Sequence, residues 1–499
     1  AGDRRWWYII HPEKEAAVFA FPGQKTKIVC TIGPSCRSES TISEMILRGM
    51  SVARLNLAHG TAAEHGEAVE NIRKAEKATG RTVAVLADLP GPKIRVGTLP
   101  SGRVFLEKKD RVTLAPENAG EPGGFIPVSY LHLAESVRPG NLIYMNDGYI
   151  ELQVLGVRKE AVLCRVNVGG ELLSGKGLNL PGASLSLEAV TDRDLALADT
   201  ALEMGIDTFG ISFVKDASDV DKLRRHAAGK GKRVFVIAKI ERREAVDAID
   251  GILDAADGVM VARGDLGVEV PIDELPLLQK KLIRKANLRC RPVITATQML
   301  KAMEHFTRPT RAEVADVANA VLDGTDALML SEETAVGQFP VETVEMMARI
   351  ARSVEGDRGI LPGYVSVLER LKGEILKQEI SVSDMVSLNA AEAAEALRSP
   401  LILTPTTGGN TPRRISRFKP GAWIVPLSGK EEVSRFLAFS HGVFPLFPPD
   451  GGGPWTEARV LDEMTKAGLL RKGDRIPVTE GKHRGAAGGT DSLGILTVS

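Results

Sequence analysis

The apolar positions of the chain fall into short runs that alternate with amphipathic segments, and this alternation begins near Lys25. Three apolar runs, K-T-K-I-V-C-T-I-G, S-V-A-R-L-N-L-A-H-G and T-V-A-V-L-A-D-L, are separated by segments with helical spacing of apolar residues. Continuous apolar runs are typical of strands buried on both faces, whereas helical spacing is typical of helices that cover a sheet. Residues 25–92 therefore predict three strand–helix units of a parallel sheet.

This pattern stops after Asp88 and returns near Asp192. Residues 93–187 contain short β-like runs punctuated by Gly and Pro, which predict an inserted all-β domain. Residues 188–355 then supply five more apolar runs, namely T-F-G-I-S-F, F-V-I-A-K-I-E, G-V-M-V-A-R-G, P-V-I-T-A-T-Q and A-L-M-L-S-E-E-T. Three strands before the insertion and five after it make eight, so we predict a closed (β/α)8 TIM barrel, an α/β fold whose site lies at the carboxyl ends of the strands.

The segments on either side of the barrel complete the predicted organisation. Residues 1–24 form a separate N-terminal segment, and residues 356–380, rich in Gly, Pro and charge, predict a linker that contains a helix. A new alternation of strands and helices predicts a C-terminal α/β domain over residues 381–499. The length of 499 residues agrees with about three domains.

Composition argues against two classes of partner and indicates a compartment. Lys plus Arg and Asp plus Glu both number 64, so the basic face that nucleic-acid binding requires is missing. No uninterrupted apolar stretch approaches the ~20 residues of a membrane helix. Cys30, Cys36, Cys164 and Cys290 have neither the spacing of a zinc site nor the pairing of a disulfide framework, which indicates a reducing, cytoplasmic environment.

Charged residues end two neighbouring strands of the predicted barrel. Lys239, Glu241 and Asp265 should therefore lie close together at one mouth of the barrel. Carboxylate oxygens suit Mg²⁺ or Mn²⁺, and an ammonium beside such a metal suits an anionic ligand such as a phosphate. Gly264 and Gly267, on either side of Asp265, allow a tight turn that presents backbone amides to an anion. The pattern favours phosphoryl transfer, and the alternative is that each charge is an ordinary solvated residue of a loop.

A Gly-rich turn in the C-terminal domain is a second candidate site. The segment L-I-L-T-P-T-T-G-G-N-T-P-R-R-I-S-R-F predicts a strand, a turn and a basic helix start. The turn could hold a phosphorylated effector, with Arg413 or Arg414 as the counter-charge, or it could be a plain loop with a capping Thr. The residues of this candidate site are Thr406, Thr407, Gly408, Gly409, Asn410, Thr411 and Arg413.

From about Lys25 to the end of the chain, a series of motifs resembles those of the pyruvate kinase family in the family's order. The motifs are K-T-K-I-V-C-T-I-G-P-S, S-V-A-R-L-N-L-A-H-G, G-P-K-I-R, K-G-L-N-L-P-G, K-I-E, M-V-A-R-G-D-L-G, A-T-Q-M-L and R-P-T-R-A-E-V-A-D-V-A-N-A-V-L-D-G. The resemblance implies a barrel, a β lid inserted after the third strand and a C-terminal regulatory domain. It also implies transfer of the phosphoryl group of phosphoenolpyruvate to ADP, giving pyruvate and ATP with Mg²⁺ or Mn²⁺, in a cytoplasmic homotetramer.

The same resemblance implies roles for the residues at the barrel mouth. Lys239 and Arg54 would contact the phosphoryl group in transfer, stabilising the charge that develops on it. Glu241 and Asp265 would hold the divalent metal. The backbone amides around Gly264 and Asp265 would hold the substrate carboxylate.

Four further residues would bind the nucleotide, and two more would deliver a proton. Thr297 and Ser331 would relay a proton through water to the enolate carbon; a hydroxyl is a poor acid, so Thr297 is expected to act as a positioning group. The nucleotide contacts implied by the resemblance are Asn56, His59, Arg95 and Lys176. Taken alone, His59 is better explained as a histidine of the core or of a helix start, and only its place in N-L-A-H-G favours the nucleotide contact.

Departures from the family pattern concern the potassium site and the effector turn. The potassium-dependent members carry Ser, Thr and Glu where this chain has Ala58, Leu89 and Lys93, so that only Asn56 and Asp88 remain as ligands. We therefore expect that K⁺ is not required, and that the Lys93 ammonium supplies its charge by pairing with Asp88 and facing the substrate. The alternative is that Lys93 points to solvent at the lid hinge.

In the effector turn, Gly408 removes a hydroxyl and Pro412 removes an amide donor that many members have. The identity of an effector therefore stays open.

Two other functions also fit part of the sequence. A metal-dependent aldolase or lyase acting on pyruvate enolates would explain Glu241 and Asp265, but it would not explain Arg95, Lys176 or the third domain. A non-catalytic binding or regulatory protein on the same fold would not need an intact Lys239.

Overall fold

The computed structural model describes residues 21–118, 124–183, 187–357, 365–377, 379–446, 455–481 and 489–499. Most of the expected N-terminal segment, residues 1–20, therefore lies outside the described residues. Among the helices of the described ranges, none combines the length and the apolar character that crossing a membrane requires.

The first part of the barrel follows the alternation of strands and helices seen in the sequence. It consists of β1 (Lys27–Thr31), α1 (Glu39–Arg48), β2 (Met50–Asn56), α2 (Ala62–Thr79) and β3 (Ala84–Leu89). Both helices begin at a side-chain cap: Ser38 accepts the backbone N–H of Thr41, and Thr61 forms a capping box with Glu64. These caps satisfy amides that a helix start would otherwise leave unpaired.

The inserted lid is predominantly β-structure with an apolar core of its own. Its elements are β4 (Arg103–Leu106), β5 (Arg111–Pro116), β6 (Ile126–Val128), α3 (Leu133–Ser136), β7 (Leu142–Met145), β8 (Ile150–Arg158), β9 (Ala161–Val168), β10 (Gly170–Leu173) and β11 (Leu178–Asn179). Six strands form one sheet in the order β11-β7-β8-β9-β5-β6, and β10 pairs with β4.

The second part of the barrel supplies the remaining five strands. Its elements are α4 (Asp192–Glu203), β12 (Thr208–Ile211), α5 (Ala217–Gly229), β13 (Phe235–Ile240), α6 (Arg243–Asp247), α7 (Ile249–Ala255), β14 (Gly258–Ala262), α8 (Arg263–Glu269), α9 (Leu275–Leu288), β15 (Val293–Ala296), a 3₁₀ turn (Lys301–Glu304), α10 (Arg311–Asp323), β16 (Ala327–Leu330), α11 (Glu332–Ala335) and α12 (Pro340–Asp357). The strands close in the order β1-β16-β15-β14-β13-β12-β3-β2, and every neighbouring pair is parallel. The predicted eight-stranded barrel is thus confirmed.

The third domain is an α/β unit that follows the barrel. Its elements are α13 (Val367–Ile375), α14 (Val382–Leu397), β17 (Leu401–Pro405), α15 (Asn410–Ser416), β18 (Trp423–Leu427), α16 (Glu431–Leu437), α17 (Glu457–Lys466), β19 (Arg475–Glu480) and β20 (Ser492–Thr497). The sheet order is β18-β17-β19-β20, with β20 antiparallel to β19. The helix expected within the linker is α13, and its Val367 and Leu371 are buried in the core of this domain.

Aromatic residues of the third domain close the amino-terminal end of the barrel. Phe436 of α16 stacks on Phe235 at the start of β13, with ring centroids 4.3 Å apart. Phe436 and Phe439 belong to the same buried cluster as the barrel residues Val29 and Met260. The third domain thus completes the barrel interior at the end opposite the predicted site.

Candidate active site

A cavity of about 1700 Å³ lies at the carboxyl ends of the barrel strands. The lid contributes Tyr144, Asp147 and Tyr149 to its wall. Active sites of barrels of this kind are built at this end of the strands. The sequence-predicted residues that line the cavity are Arg54, Asn56, His59, Lys239, Glu241, Gly264, Asp265, Thr297 and Ser331.

The ammonium of Lys239 is surrounded by oxygen atoms near the end of β13. Its Nζ donates to Ser212 Oγ at 2.7 Å and lies 3.0 Å from Glu241 Oε1 and 3.3 Å from Asp88 Oδ1. Burial acts to lower the pKa of Lys239, but the attraction of Asp88 and Glu241 outweighs it, so the pKa is raised. Lys239 is therefore a fixed cation at neutral pH.

Asp88 joins Lys239 to a second cation, Arg54. Arg54 Nε and Nη2 donate to Asp88 Oδ2 at 2.8 and 2.5 Å, and Nη1 donates to Thr31 Oγ1 at 2.9 Å. Burial acts to raise the pKa of Asp88, but Lys239 and Arg54 together lower it below its usual range. One buried carboxylate thus holds two cations side by side, where they can face an anionic ligand.

Lys93 contacts Asp265, and the expectation that it pairs with Asp88 is wrong. Lys93 Nζ lies 2.8 Å from Asp265 Oδ1. Asp88 is only 2% exposed and already lies against Arg54 and Lys239, so a third cation has no access to it.

The carboxylates of Glu241 and Asp265 face the same cavity. Glu241 Oε2 accepts the backbone N–H of Phe213 at 2.7 Å. Burial raises the pKa of Glu241, and repulsion from Asp265 adds to this although Lys239 opposes it. Such a repelling pair of carboxylates is a donor set that suits Mg²⁺ or Mn²⁺, which commonly takes one or two carboxylates together with substrate oxygens and water. Within the described ranges, no group of three His, Cys, Asp or Glu side chains forms a metal site built from protein alone.

Thr297 lies on a tight turn after β15. The Gly264 N–H donates to Thr297 Oγ1 at 2.8 Å, and the Thr297 hydroxyl donates to Ala296 O at 2.6 Å. Thr297 and Gln298 have φ angles of +72° and +54°, a left-handed conformation that a β-branched residue rarely adopts. Ser331 lines the same cavity, one residue after β16.

The four residues expected to contact a nucleotide divide into two pairs. Asn56 and His59 line the cavity on the barrel side. Arg95 and Lys176 lie on the lid, where Arg95 Nη1 donates to Gly175 O at 2.9 Å, next to Lys176. A nucleotide that contacts all four has to lie between the barrel and the lid.

Two residues of the site escaped the sequence-based prediction, Ser212 and Arg263. Ser212 follows β12, accepts from Lys239 and donates to Leu89 O at 2.7 Å. Arg263 follows β14, lines the cavity and donates to Thr297 O at 2.8 Å. Their positions directly after barrel strands are the sequence signal that could have identified them.

The Gly-rich turn of the third domain links β17 to α15. Gly409, at φ +76°, precedes α15 and donates its N–H to Thr406 Oγ1 at 2.9 Å. Arg413 donates to Gly409 O at 3.1 Å and to Asn410 Oδ1 at 2.7 Å, and its guanidinium lies over the Phe436 ring. Burial lowers the pKa of Arg413 to about 10. Arg413 therefore supports the turn from inside the domain.

Relatives of the chain are found along most of its length. The family model for the pyruvate kinase barrel domain matches residues 23–344, and the model for the pyruvate kinase alpha/beta domain matches residues 384–496. The chain is 46% identical over 479 residues to a pyruvate kinase of Thermococcus litoralis, which covers 96% of this chain and 99% of that protein. A pyruvate kinase of Geobacillus stearothermophilus is 42% identical over 95% of this chain and 81% of its own length. One of Dictyostelium discoideum is 39% identical over 95% of this chain and 94% of its own.

Proposed function

The chain belongs to the pyruvate kinase family, and we propose that its reaction takes place in the cavity between the barrel and the lid. The reaction transfers the phosphoryl group of phosphoenolpyruvate to ADP and yields pyruvate and ATP in glycolysis. The observation that carries the proposal is the pair of cations Lys239 and Arg54, held together by the buried carboxylate of Asp88. Phosphoryl transfer depends mainly on such positioned charge and needs little covalent chemistry from the protein.

Lys239 and Arg54 act on the phosphoryl group while it moves. The bond between phosphorus and the enol oxygen breaks, and a terminal phosphate oxygen of ADP forms the new bond to phosphorus. The electron pair of the broken bond stays on the enol oxygen as an enolate. The two cations neutralise charge on the phosphoryl oxygens, and Lys239 also stabilises the enolate.

Glu241 and Asp265 hold the divalent metal, and the first turn of α8 holds the substrate carboxylate. When bound, Mg²⁺ or Mn²⁺ supplies positive charge that polarises the substrate oxygens. The proposed carboxylate donors are the amides of Gly264 and Asp265. The Gly264 N–H already donates to Thr297 Oγ1, so the backbone N–H of Asp265 is more readily directed at a ligand.

Thr297 and Ser331 guide a solvent proton to the enolate. The methylene carbon forms a new C–H bond with the electron pair of the enolate, and the enolate oxygen becomes the keto oxygen of pyruvate. Because the hydroxyl of Thr297 is a poor acid, it orients the water that delivers the proton. Both side chains line the cavity, which supports this role.

ADP binds across the junction of the barrel and the lid. Asn56 and His59 contact it from the barrel, and Arg95 and Lys176 contact it from the lid. Closure of a lid of this kind excludes water from the reacting groups.

Potassium is not required, because Lys93 brings a positive charge to the site. Its ammonium lies beside Asp265 rather than Asp88, and this contact supports a charge next to the metal-binding carboxylate. Ala58 and Leu89 carry no side-chain oxygen, so Asn56 and Asp88 remain as candidate ligands, and Asp88 is already paired with two cations.

The third domain binds a phosphorylated effector at Thr406–Thr411, and the enzyme is a cytoplasmic homotetramer. Arg413 acts as a support for the turn in this proposal, since it donates to Gly409 O and Asn410 Oδ1 from within the domain. The oligomeric state and the compartment are proposed from the family alone.

A coupled assay of pyruvate formation tests the proposed reaction. The purified protein is given phosphoenolpyruvate, ADP and Mg²⁺, and each of the last two is then omitted in turn. We expect turnover only when both are present. Pyruvate formation that continues without ADP would mean that the phosphoryl group passes to water, and it would contradict the proposal.

A further inference from the structure

One guanidinium, that of Arg263, holds the strained turn that carries Thr297. Arg263 is the first residue of α8, and its Nε donates to Ala296 O at 3.2 Å while its Nη2 donates to Thr297 O at 2.8 Å. These carbonyls belong to the two peptide groups on either side of the Thr297 Cα. Because φ and ψ of a residue are set by the orientation of its flanking peptide planes, Arg263 fixes the backbone conformation of Thr297.

That conformation needs an external restraint. Thr297 and Gln298 both have positive φ, and strained backbone of this kind persists where surrounding contacts determine it and is concentrated at functional sites. A relaxed Thr297 would turn its hydroxyl away from the Gly264 N–H, from which it now accepts at 2.8 Å.

The guanidinium is itself braced from the opposite side. Arg263 Nη1 lies 2.7 Å from Asp316 Oδ1 of α10 and donates to Gln279 Oε1 of α9 at 3.2 Å. Only 12% of the Arg263 side chain is exposed. The planar fork of an arginine can serve two carbonyls and a carboxylate together, which the single ammonium of a lysine cannot do with the same geometry.

We propose that Arg263 is a positioning residue for protonation of the enolate, acting through Thr297. The inference rests on the proposed role of Thr297 in guiding the proton. It assigns Arg263 to the second step of the reaction, because its contacts run to the turn that carries Thr297. Lys239, by contrast, contacts Ser212, Glu241 and Asp88.

Separate measurements of the two steps test this assignment in Arg263→Lys, which keeps a positive charge opposite Asp316 and loses the fork. Proton transfer to carbon is followed as exchange of the methyl protons of pyruvate with D₂O, in the presence of Mg²⁺ and ATP. Phosphoryl transfer is followed as ATP formed in a single turnover from phosphoenolpyruvate and ADP. We expect exchange to fall at least ~10-fold, with ATP formation and the KM for phosphoenolpyruvate changed less than ~3-fold.

Two further variants keep the test decisive. Arg224→Lys is the matched control, since Arg224 pairs with one carboxylate, Asp257, on the barrel; it should change neither step. Asp316→Asn removes the carboxylate that pairs with Arg263 and keeps the Arg263 guanidinium, so it should lower exchange by a smaller factor than Arg263→Lys. This variant provides the test if Arg263→Lys does not fold.

The outcomes separate the inference from the function on which it rests. Equal loss of both steps in Arg263→Lys, or unchanged exchange, overturns the role of Arg263. Unchanged exchange in Thr297→Ala overturns the proposed role of Thr297 instead. Loss of exchange in Thr297→Ala with full exchange in Arg263→Lys and Asp316→Asn overturns the Arg263 assignment alone.

Discussion

The buried carboxylate of Asp88 holds the two cationic side chains of the site in place. Asp88 is 2% exposed and lies against both Arg54 and Lys239. A buried ammonium without such a partner tends to lose its proton, because burial disfavours the charged form. The Asp88 carboxylate therefore maintains the positive charge of Lys239, which lines the cavity.

Lys239→Met should lower turnover at least ~10²-fold, with a much smaller effect on the affinity for phosphoenolpyruvate, because it removes a charge that acts on the transition state. Steady-state kinetics provide the measurement. Lys222→Met is the matched control, since Lys222 lies on α5 and pairs with Glu188. Turnover equal to that of the control would remove Lys239 from the proposed mechanism.

Activity should be nearly the same in Na⁺, K⁺ and tetramethylammonium buffers of equal ionic strength, because the Lys93 ammonium already lies 2.8 Å from Asp265. Lys93→Glu should depress the activity and regain part of it when K⁺ is added. Lys108→Glu, an exposed position on the lid, should behave as the unmodified enzyme does. Strong K⁺ activation of the unmodified enzyme would refute the proposal.

Strand-end residues could be predicted from the sequence, whereas their contacts could not. Lys239 and Asp265 follow apolar runs, so their place at the barrel mouth depends on local pattern alone. The partner of Lys93 depends on how the lid approaches the barrel, since Lys93 and Asp265 are 172 positions apart. The strain at Thr297 is likewise a product of tertiary contacts, which local pattern does not contain.

Whole elements differ in how clearly the sequence reveals them. The strand β13 begins with four consecutive buried apolar residues, 235–238, and the sequence reveals such a run directly. The helix α13 was expected within a linker, but its Val367 and Leu371 pack in the core of the third domain. A short helix with only two buried residues gives a weak apolar pattern. The sequence therefore does not predict which domain covers these residues.

Arg398→Gly should stabilise the third domain by up to about 1 kcal/mol. Arg398 ends α14 in the left-handed conformation, at φ +50°, where glycine carries no steric penalty. Urea unfolding followed by tryptophan fluorescence provides the measurement, since Trp423 and Trp455 both pack in the core of the third domain. Arg398→Ala keeps a Cβ at this position and should give no comparable gain; equal stability of the two variants would contradict the argument.

The molecule as a whole is joined at a buried cluster around Glu355. This carboxylate accepts the backbone N–H groups of Lys25 and Thr26, both at 2.7 Å, and lies 3.6 Å from Nε2 of His441 in the third domain. Burial acts to raise the pKa of Glu355, but His441, Lys25 and Thr26 lower it to about 2. One carboxylate at the end of α12 therefore contacts both the segment that precedes β1 and the third domain.

Acid should weaken this junction. The pKa of Glu355 is lowered from 4.5 to about 2 on folding, so its contribution is fully present above pH 4.5 and is lost as the pH falls toward 2. The contribution is on the order of 3 kcal/mol. Unfolding free energies measured between about pH 5 and pH 3 should fall less steeply in Glu355→Gln than in the unmodified protein. Glu160→Gln, in an exposed turn of the lid, should leave the slope unchanged; equal slopes in all three proteins would disprove the assignment.

The stack of Phe436 on Phe235 constrains how genes of this kind can be rearranged during evolution. Because Phe436 and Phe439 fill the barrel interior, a descendant that lost the third domain would carry an open-ended barrel with Phe235 facing water. An unrelated domain could replace the third domain only if it supplied apolar side chains at the positions of Phe436 and Phe439. The turn at residues 406–411 can therefore change its sequence over many generations, while the two aromatic side chains that close the barrel are retained.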